Sequence, residues 1–354
     1  MIGESYFDGA QERLLSDLED FLAGKEERMA ALKPWGLDVL HRLAEFTRKG
    51  KLIRGGLVCL GFEMRGRRLS GSALRAGTAL ELMQSALLIH DDIMDRDTLR
   101  RGAPTLHRQY ADLAKKNGIS DSEHYGMSMG ICAGEIAIFL AFEALASLPG
   151  PCLRTASAQA LFAAEFGLVG LGQMRDIQTG SSPEPTSERE VLDLYRYKTA
   201  RYSFSLPLIM GWILGEGSRR IVPNLERLGE SLGLIFQLKD DELGLFGDEA
   251  LLGKPVGSDI RQGKKTLWYL RLVERASPEE RKIFKGLFGR PDLSLSDIEN
   301  VRELAVRHGV ADDIRKTMRR YGSRARHIIR DLPVKARYRE ILDSLLEFSL
   351  TRRS

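Results

Sequence analysis

The sequence predicts a single all-α bundle over residues 1–354. Apolar residues recur at intervals of three and four along most of the chain, and no stretch alternates convincingly with period two. Helix starts are marked by capping motifs, and the breaks are short, with no long flexible linker and no repeat at a solenoid period.

Taken in order, "LEDFLAGKEERMAAL" (18–32) and "DVLHRLAEFTRK" (38–49) show the amphipathic helical period. Residues 70–95, 126–148 and 153–179 are apolar on more than one face, as expected of central helices ringed by others. "LERLGESLGLIFQL" (225–238) and "YREILDSLLEF" (338–348) return to the amphipathic pattern. "SERE" (187–190), "SPEE" (277–280) and "SDIE" (296–299) read as capping boxes, the second with Pro278 at the first helical position. Breaks fall at "LPGPC" (148–152), "GSSPEPTS" (180–187) and "FGRPDLS" (288–294).

Lys and Arg number 53 against 49 Asp and Glu, a formal charge of +4. That balance is too even to draw nucleic acid, so anion chemistry must come from local clusters. Cys59, Cys132 and Cys152 form an odd set without CxxC spacing, which fits a reducing compartment and argues against a disulfide framework or a zinc site. The N-terminal residues lack the apolar core of a signal peptide, and the most apolar long run, "GICAGEIAIFLAFEALASL" (130–148), carries Glu135 and Glu143. The expectation is a cytoplasmic protein without stable membrane insertion.

Residues 90–107 read "HDDIMDRDTLRRGAPTLH". With about 100° between successive helical residues, Asp91, Asp92 and Asp95 share one face. Carboxylates so close repel one another unless a cation joins them. Without a histidine or cysteine set, their hard oxygens suit Mg²⁺, which takes one or two protein carboxylates and completes its shell with water and phosphate. A merely solvated acidic helix end would be the blander reading, but "FQLKDDELGLFGD" (236–248) repeats the device with Asp240 and Asp241, followed by Asp248. The cations that a diphosphate needs stand in short segments, most of them glycine-flanked: "GKLIRGG" (50–56), "RRGAP" (100–104), "YKTARYS" (197–203), "GKPVGSD" (253–259) and "RQGKKT" (261–266). Other basic runs, such as "MRRYGSRARHIIRDL" (318–332), read as solvated helix faces. His90 reads as a packed neighbour of Asp91, and no GxSxG, P-loop or GxGxxG motif is present.

These segments, in register, resemble the trans-isoprenyl diphosphate synthases, or polyprenyl synthetases: "GKLIRGG", "LIHDDIMDRDTLRRGAPTLH", "GLGQMRD", "YKTA", "FQLKDDELGLFGD" and "GKPVGSDIRQGKKT". The resemblance implies an isoprenoid synthase bundle of about ten core helices around a deep cavity, with the aspartate motifs facing each other at its mouth. It also implies a homodimer that joins isopentenyl diphosphate to an allylic diphosphate (dimethylallyl, geranyl or farnesyl), with about three Mg²⁺ per active site. By resemblance, Asp91 and Asp95 ligate two metals with Asp92 in support, Asp240 holds the third with help around Asp241, and Asp176 acts through water. Arg100, Lys198, Thr199, Gln237, Lys254 and Lys264 match the allylic diphosphate site. Lys51, Arg54, Gln84 and Arg101 match the isopentenyl diphosphate site. Gly244 stands where many members have a third aspartate, Gly55 replaces a common proline, and Glu135 replaces a usual aspartate. The final "TRRS" reads as a frayed basic tail.

In the resembled family the product grows toward a floor set just before the first aspartate motif, where bulky aromatics stop it at farnesyl length. Here Ala86 and Leu87 leave that level open, so geranylgeranyl diphosphate is the expected product, with longer chains the rival. A class I terpene cyclase and a non-catalytic partner subunit compete with the synthase reading. The former has no need of a second cationic pocket, and the latter tends to lose the aspartates and lysines retained here.

Overall fold

A computed structural model describes residues 2–182, 184–248, 256–290 and 292–352. The described chain is mostly helical, as expected. Its two-stranded element, missed by the periodicity, pairs Leu99–Arg100 with Ala103–Pro104. Two strands of two residues are too short to show an alternating pattern.

The chain divides into two compact units, one of residues up to 161 with 207–219, the other of residues 162–206 with those from 220 on. In the first unit the helix Gly71–Met94 is packed by Ile2–Ala23, Trp35–Arg48, Ile53–Glu63 and Ser122–Ala146. Its alanines, Leu80, Leu82 and Ile89 are buried around the whole circumference, which accounts for an apolar pattern on more than one face.

The helices Ile53–Glu63 and Leu206–Leu214 touch backbone to backbone. A Cβ on Gly61 would lie 2.3 Å from the carbonyl oxygen of Leu208, and one on Gly211 would lie 2.0 Å from that of Val58. Gly61→Ala gains up to ~1 kcal/mol of helix propensity, but parting the helices costs more, ~2 kcal/mol or above. The expected result is a lower urea midpoint; an unchanged one would show that the crossing has slack.

Ser122–Ala146 is long and apolar enough to cross a membrane by length and composition, yet 44% of its most apolar window is buried. Its Glu143 is held by Lys25 at 2.7 Å and Arg28 at 2.8 Å, a pairing that belongs to a packed helix.

In the second unit the helix Val222–Phe246 packs on Val310–Asp331, on Ala336–Thr351 and on the segment Arg196–Ser205. That last segment is wound as a wide-turned π-helix, which an amphipathic pattern does not distinguish from α. Glycine brings it close: a Cβ on Gly233 would meet Ala200 Cα at 2.3 Å, and one on Gly229 would meet Ser205 Cα at 2.4 Å. Arg201 anchors it to Glu165, Glu226 and Glu230.

The capping boxes at Ser187–Glu190 and Ser277–Glu280 form as expected. The third begins two residues earlier than expected. Ser294 receives the Asp297 N–H, and Asp297 reaches back to the Ser294 N–H, so Ser296 lies inside the first turn. Arg319, Arg320, Arg324, Arg326 and Arg330 are exposed along Val310–Asp331, the solvated face expected there.

Candidate active site

The first aspartate helix is mostly buried through Ile89 and then turns acidic. His90 Nε2 lies 3.2 Å from the carbonyl oxygen of Ile131, in space that a Cβ on Gly134 would fill at 2.1 Å, so it is a packed neighbour as expected. Asp92 is fully buried, whereas the Asp91 side chain is 25% exposed. The chain reverses through Arg96, at φ 57°, into the short hairpin. The two residues of its turn, Arg101 at φ 53° and Gly102 at φ 72°, are both left-handed, as a type I′ turn requires.

The turn sends the adjacent arginines to different partners. Arg100 Nε donates to Asp92 Oδ1, and its Nη2 lies 3.5 Å from Asp97 and 3.9 Å from Asp91. Burial pushes the Asp92 carboxyl up to about 7, against the pull of Arg100. Its Oδ2 is buried without a hydrogen-bond partner.

Arg101 instead donates to the Phe46 carbonyl at 3.1 Å, with its guanidinium 5.7 Å from the Phe46 ring centre. Burial and the nearby Arg100 and Arg54 lower its pKa, while buried Glu81 opposes them. Glu81 accepts the Gly55 N–H at 2.7 Å; burial raises its carboxyl, and Arg54 and Arg101 counter. One turn along, buried Gln84 Oε1 has no hydrogen-bond partner. Arg54 and Arg101 thus gather at Glu81, with Gln84 one turn along the same helix; the motifs did not mark Glu81 although its place within "ALELMQ" is unusual for an acid. Lys51 is exposed just before the helix Ile53–Glu63. Gly55 is a packing requirement, since a Cβ there would meet Leu14 Cδ1 at 2.8 Å. Ala86 is fully buried and Leu87 half-buried on the first aspartate helix.

In the second unit, Lys198 Nζ pairs with Asp176. Thr199 donates to Gln237 Oε1 at 2.9 Å, and Gln237 Nε2 donates to Asp241 Oδ1 at 2.8 Å. Tyr195 donates to Asp241 Oδ2 and accepts the Leu267 N–H at 3.0 Å. Burial, then Asp259, pushes Asp241 up to about 8. A Cβ on Gly244 would lie 3.5 Å from Asp259 Oδ2, so a carboxylate already stands beside the position where the third aspartate is missing.

Asp240 is different: its side chain is 42% exposed and pairs with Arg352. Arg352 is only 7% exposed, donates to the Phe236 carbonyl at 2.9 Å and lies over the Phe236 ring at 3.8 Å. At this arginine the basic tail is packed rather than frayed, a correction owed to contacts with distant sequence. Lys264 follows the left-handed Gly263 and donates its N–H to the Asp259 carbonyl at 2.8 Å. Lys254 lies outside the described residues.

Among the described residues no three His, Cys, Asp or Glu side chains converge as a ready-made metal cage. Hard carboxylates with one orphaned oxygen still fit Mg²⁺, which draws most of its shell from water and phosphate. Each unit therefore carries a helix with aspartates in its last two turns beside cations, the equipment of metal-dependent diphosphate chemistry.

The comparisons with known proteins agree. The polyprenyl synthetase family model matches residues 38–305. The geranylgeranyl diphosphate synthase of Saccharolobus solfataricus is 33% identical over 87% of this chain and 88% of its own, and the geranylfarnesyl diphosphate synthase of Aeropyrum pernix is 30% identical over 86% and 90%. A crystal structure of geranylgeranyl pyrophosphate synthase from Corynebacterium glutamicum, complexed with isoprenyl diphosphate and magnesium, superposes with a TM-score of 0.92 at 31% identity, covering 98% of this chain and 99% of that one. The chain belongs to the polyprenyl synthetase family and is a metal-dependent prenyltransferase that elongates prenyl chains.

Proposed function

We propose that the chain condenses isopentenyl diphosphate with an allylic diphosphate and releases geranylgeranyl diphosphate, its two units serving as one polyprenyl synthetase domain. The observation that carries this reading is the division of labour between Arg100 and Arg101. One cation faces the aspartates and the next joins Arg54 at Glu81, which provides for two anions where a cyclase of one diphosphate needs one provision.

Asp91, Asp95 and Asp240 would hold Mg²⁺, three ions per active site, with Asp92 and Asp241 in support. Bound there, the metal supplies positive charge that orients the allylic diphosphate and eases its departure. Arg100, Lys198, Thr199, Gln237, Lys254 and Lys264 hold the departing diphosphate. Lys51, Arg54, Gln84 and Arg101 hold isopentenyl diphosphate so that its double bond meets the allylic carbon. Apolar walls exclude water from that carbon.

A second copy of the chain completes the protein as a homodimer in the cytoplasm, without membrane insertion. In support, Met127, Ile131, Phe139 and Phe142 form an exposed apolar stripe on Ser122–Ala146.

The test is incubation of the purified chain with Mg²⁺, labelled isopentenyl diphosphate and each allylic primer. Consumption of none would sink the reading, and a product beyond geranylgeranyl would favour the Aeropyrum relative's activity. Arg101→Ala should raise KM for isopentenyl diphosphate roughly 10- to 100-fold, the worth of a charge-assisted contact, and leave that for the primer nearly unchanged. Equal effects on both would remove the argument against a cyclase-like site.

A further inference from the structure

Tyr195 closes the helix Glu188–Tyr195 and opens the π segment that carries Lys198 and Thr199. Its ring is buried, and its hydroxyl is placed between Asp241 Oδ2, to which it donates, and the Leu267 N–H, from which it accepts. The other Asp241 oxygen takes Gln237 Nε2, and Gln237 Oε1 takes the Thr199 hydroxyl. Gln237 thus turns its NH₂ to Asp241 and its oxygen to Thr199. The Thr199 proton is thereby committed inward.

Four hydrogen bonds thus tie the backbone of Leu267 to the side chain of Thr199, and each donor in the chain leads toward Asp241. Both Asp241 oxygens are occupied by neutral donors of the protein, whereas the neighbouring Asp240 is partly exposed. The second aspartate motif is therefore divided: Asp240 faces outward, and Asp241 is the fixed anchor of an internal chain. What fixes Asp241 is the phenol. Without it, one carboxylate oxygen in a buried site loses its donor, the carboxylate turns, and Gln237 and Thr199 lose their common orientation.

We infer that Tyr195 is a positioning residue for prenyl transfer, acting through Asp241 and Gln237 on Thr199. The inference rests on the proposed place of Thr199 at the allylic diphosphate. It assigns a role to a residue that no motif marks and that touches no substrate in the proposed arrangement.

The experiment is a double-mutant cycle in which Tyr195→Phe and Thr199→Val are made singly and together, with kcat, both KM values and the thermal midpoint measured for each. Tyr195→Phe keeps the ring, so the midpoint should move by only a few degrees while kcat falls about tenfold, the worth of one oriented hydrogen bond. The KM for isopentenyl diphosphate should stay within about twofold. In the Thr199→Val background, Tyr195→Phe should change kcat by less than about twofold, because the chain is already cut at its working end. Independent, multiplying effects, or a Tyr195→Phe enzyme as fast as wild type, would overturn the inference. If Thr199→Val alone matches wild type, it is the proposed role of Thr199 that fails, and the inference falls with it. Should Tyr195→Phe fold poorly, Gln237→Met cuts the same chain one link nearer Thr199. It must then reproduce the loss in kcat and the coupling to Thr199→Val, and a Gln237→Met enzyme without them overturns the inference.

Discussion

Asp240→Asn is expected to lower kcat about 10³-fold or more, the scale of losing a principal electrostatic contribution, and to weaken Mn²⁺ binding measured with an unreactive allylic diphosphate analogue. Asp91→Asn should behave alike. Both carboxylates are partly exposed within the last two turns of their helices, and the asparagine keeps their shape while removing the charge and one hard oxygen. Asp92→Asn should cost far less, about tenfold, because this carboxyl is fully buried and already engaged by Arg100 rather than offered to a cation from outside. Its effect should pass through Arg100 and appear mainly as a raised KM for the primer. If Asp92→Asn loses as much Mn²⁺ affinity as Asp91→Asn, Asp92 is itself a ligand and the ranking by burial is wrong.

Ala86→Phe should shift the main product from geranylgeranyl to farnesyl diphosphate, read by chromatography after dephosphorylation. Ala86 is fully buried one to two turns before Asp91, and Leu87 beside it is half-buried. Adding a ring at a position that is only core would cost about 1–3 kcal/mol of stability and leave product length alone. Adding it at the end of a growing chain changes what leaves the enzyme. The two outcomes separate without reference to total activity, and a destabilised variant with unchanged product would remove the floor assignment.

The aspartate motifs and the main helices were legible because each is local. An apolar run that ends in acids announces itself, and helical periods and capping serines need only a few residues. The residues that escaped are those whose meaning lies in distant partners. Glu81 is marked by Arg54 and Arg101, Tyr195 by Asp241, and Arg352 by Asp240, and none of these pairs is close in sequence. The hairpin escaped for a different reason, since its two left-handed residues are an arginine and a glycine and only the glycine signals a turn. The π-helix escaped because widening the turn leaves an amphipathic pattern nearly intact.

The hairpin also acts as a ruler. A two-residue turn with both members left-handed has no room to lengthen without becoming another kind of turn. The backbone spacing of the two arginines is therefore fixed, and the offset between their guanidinium groups is held by their separate partners, Asp92 and the Phe46 carbonyl. A molecule that carried two anionic groups on one tether would be measured against that offset: a spacer of matching length would engage both arginines, and a shorter or longer one would have to give up one of them.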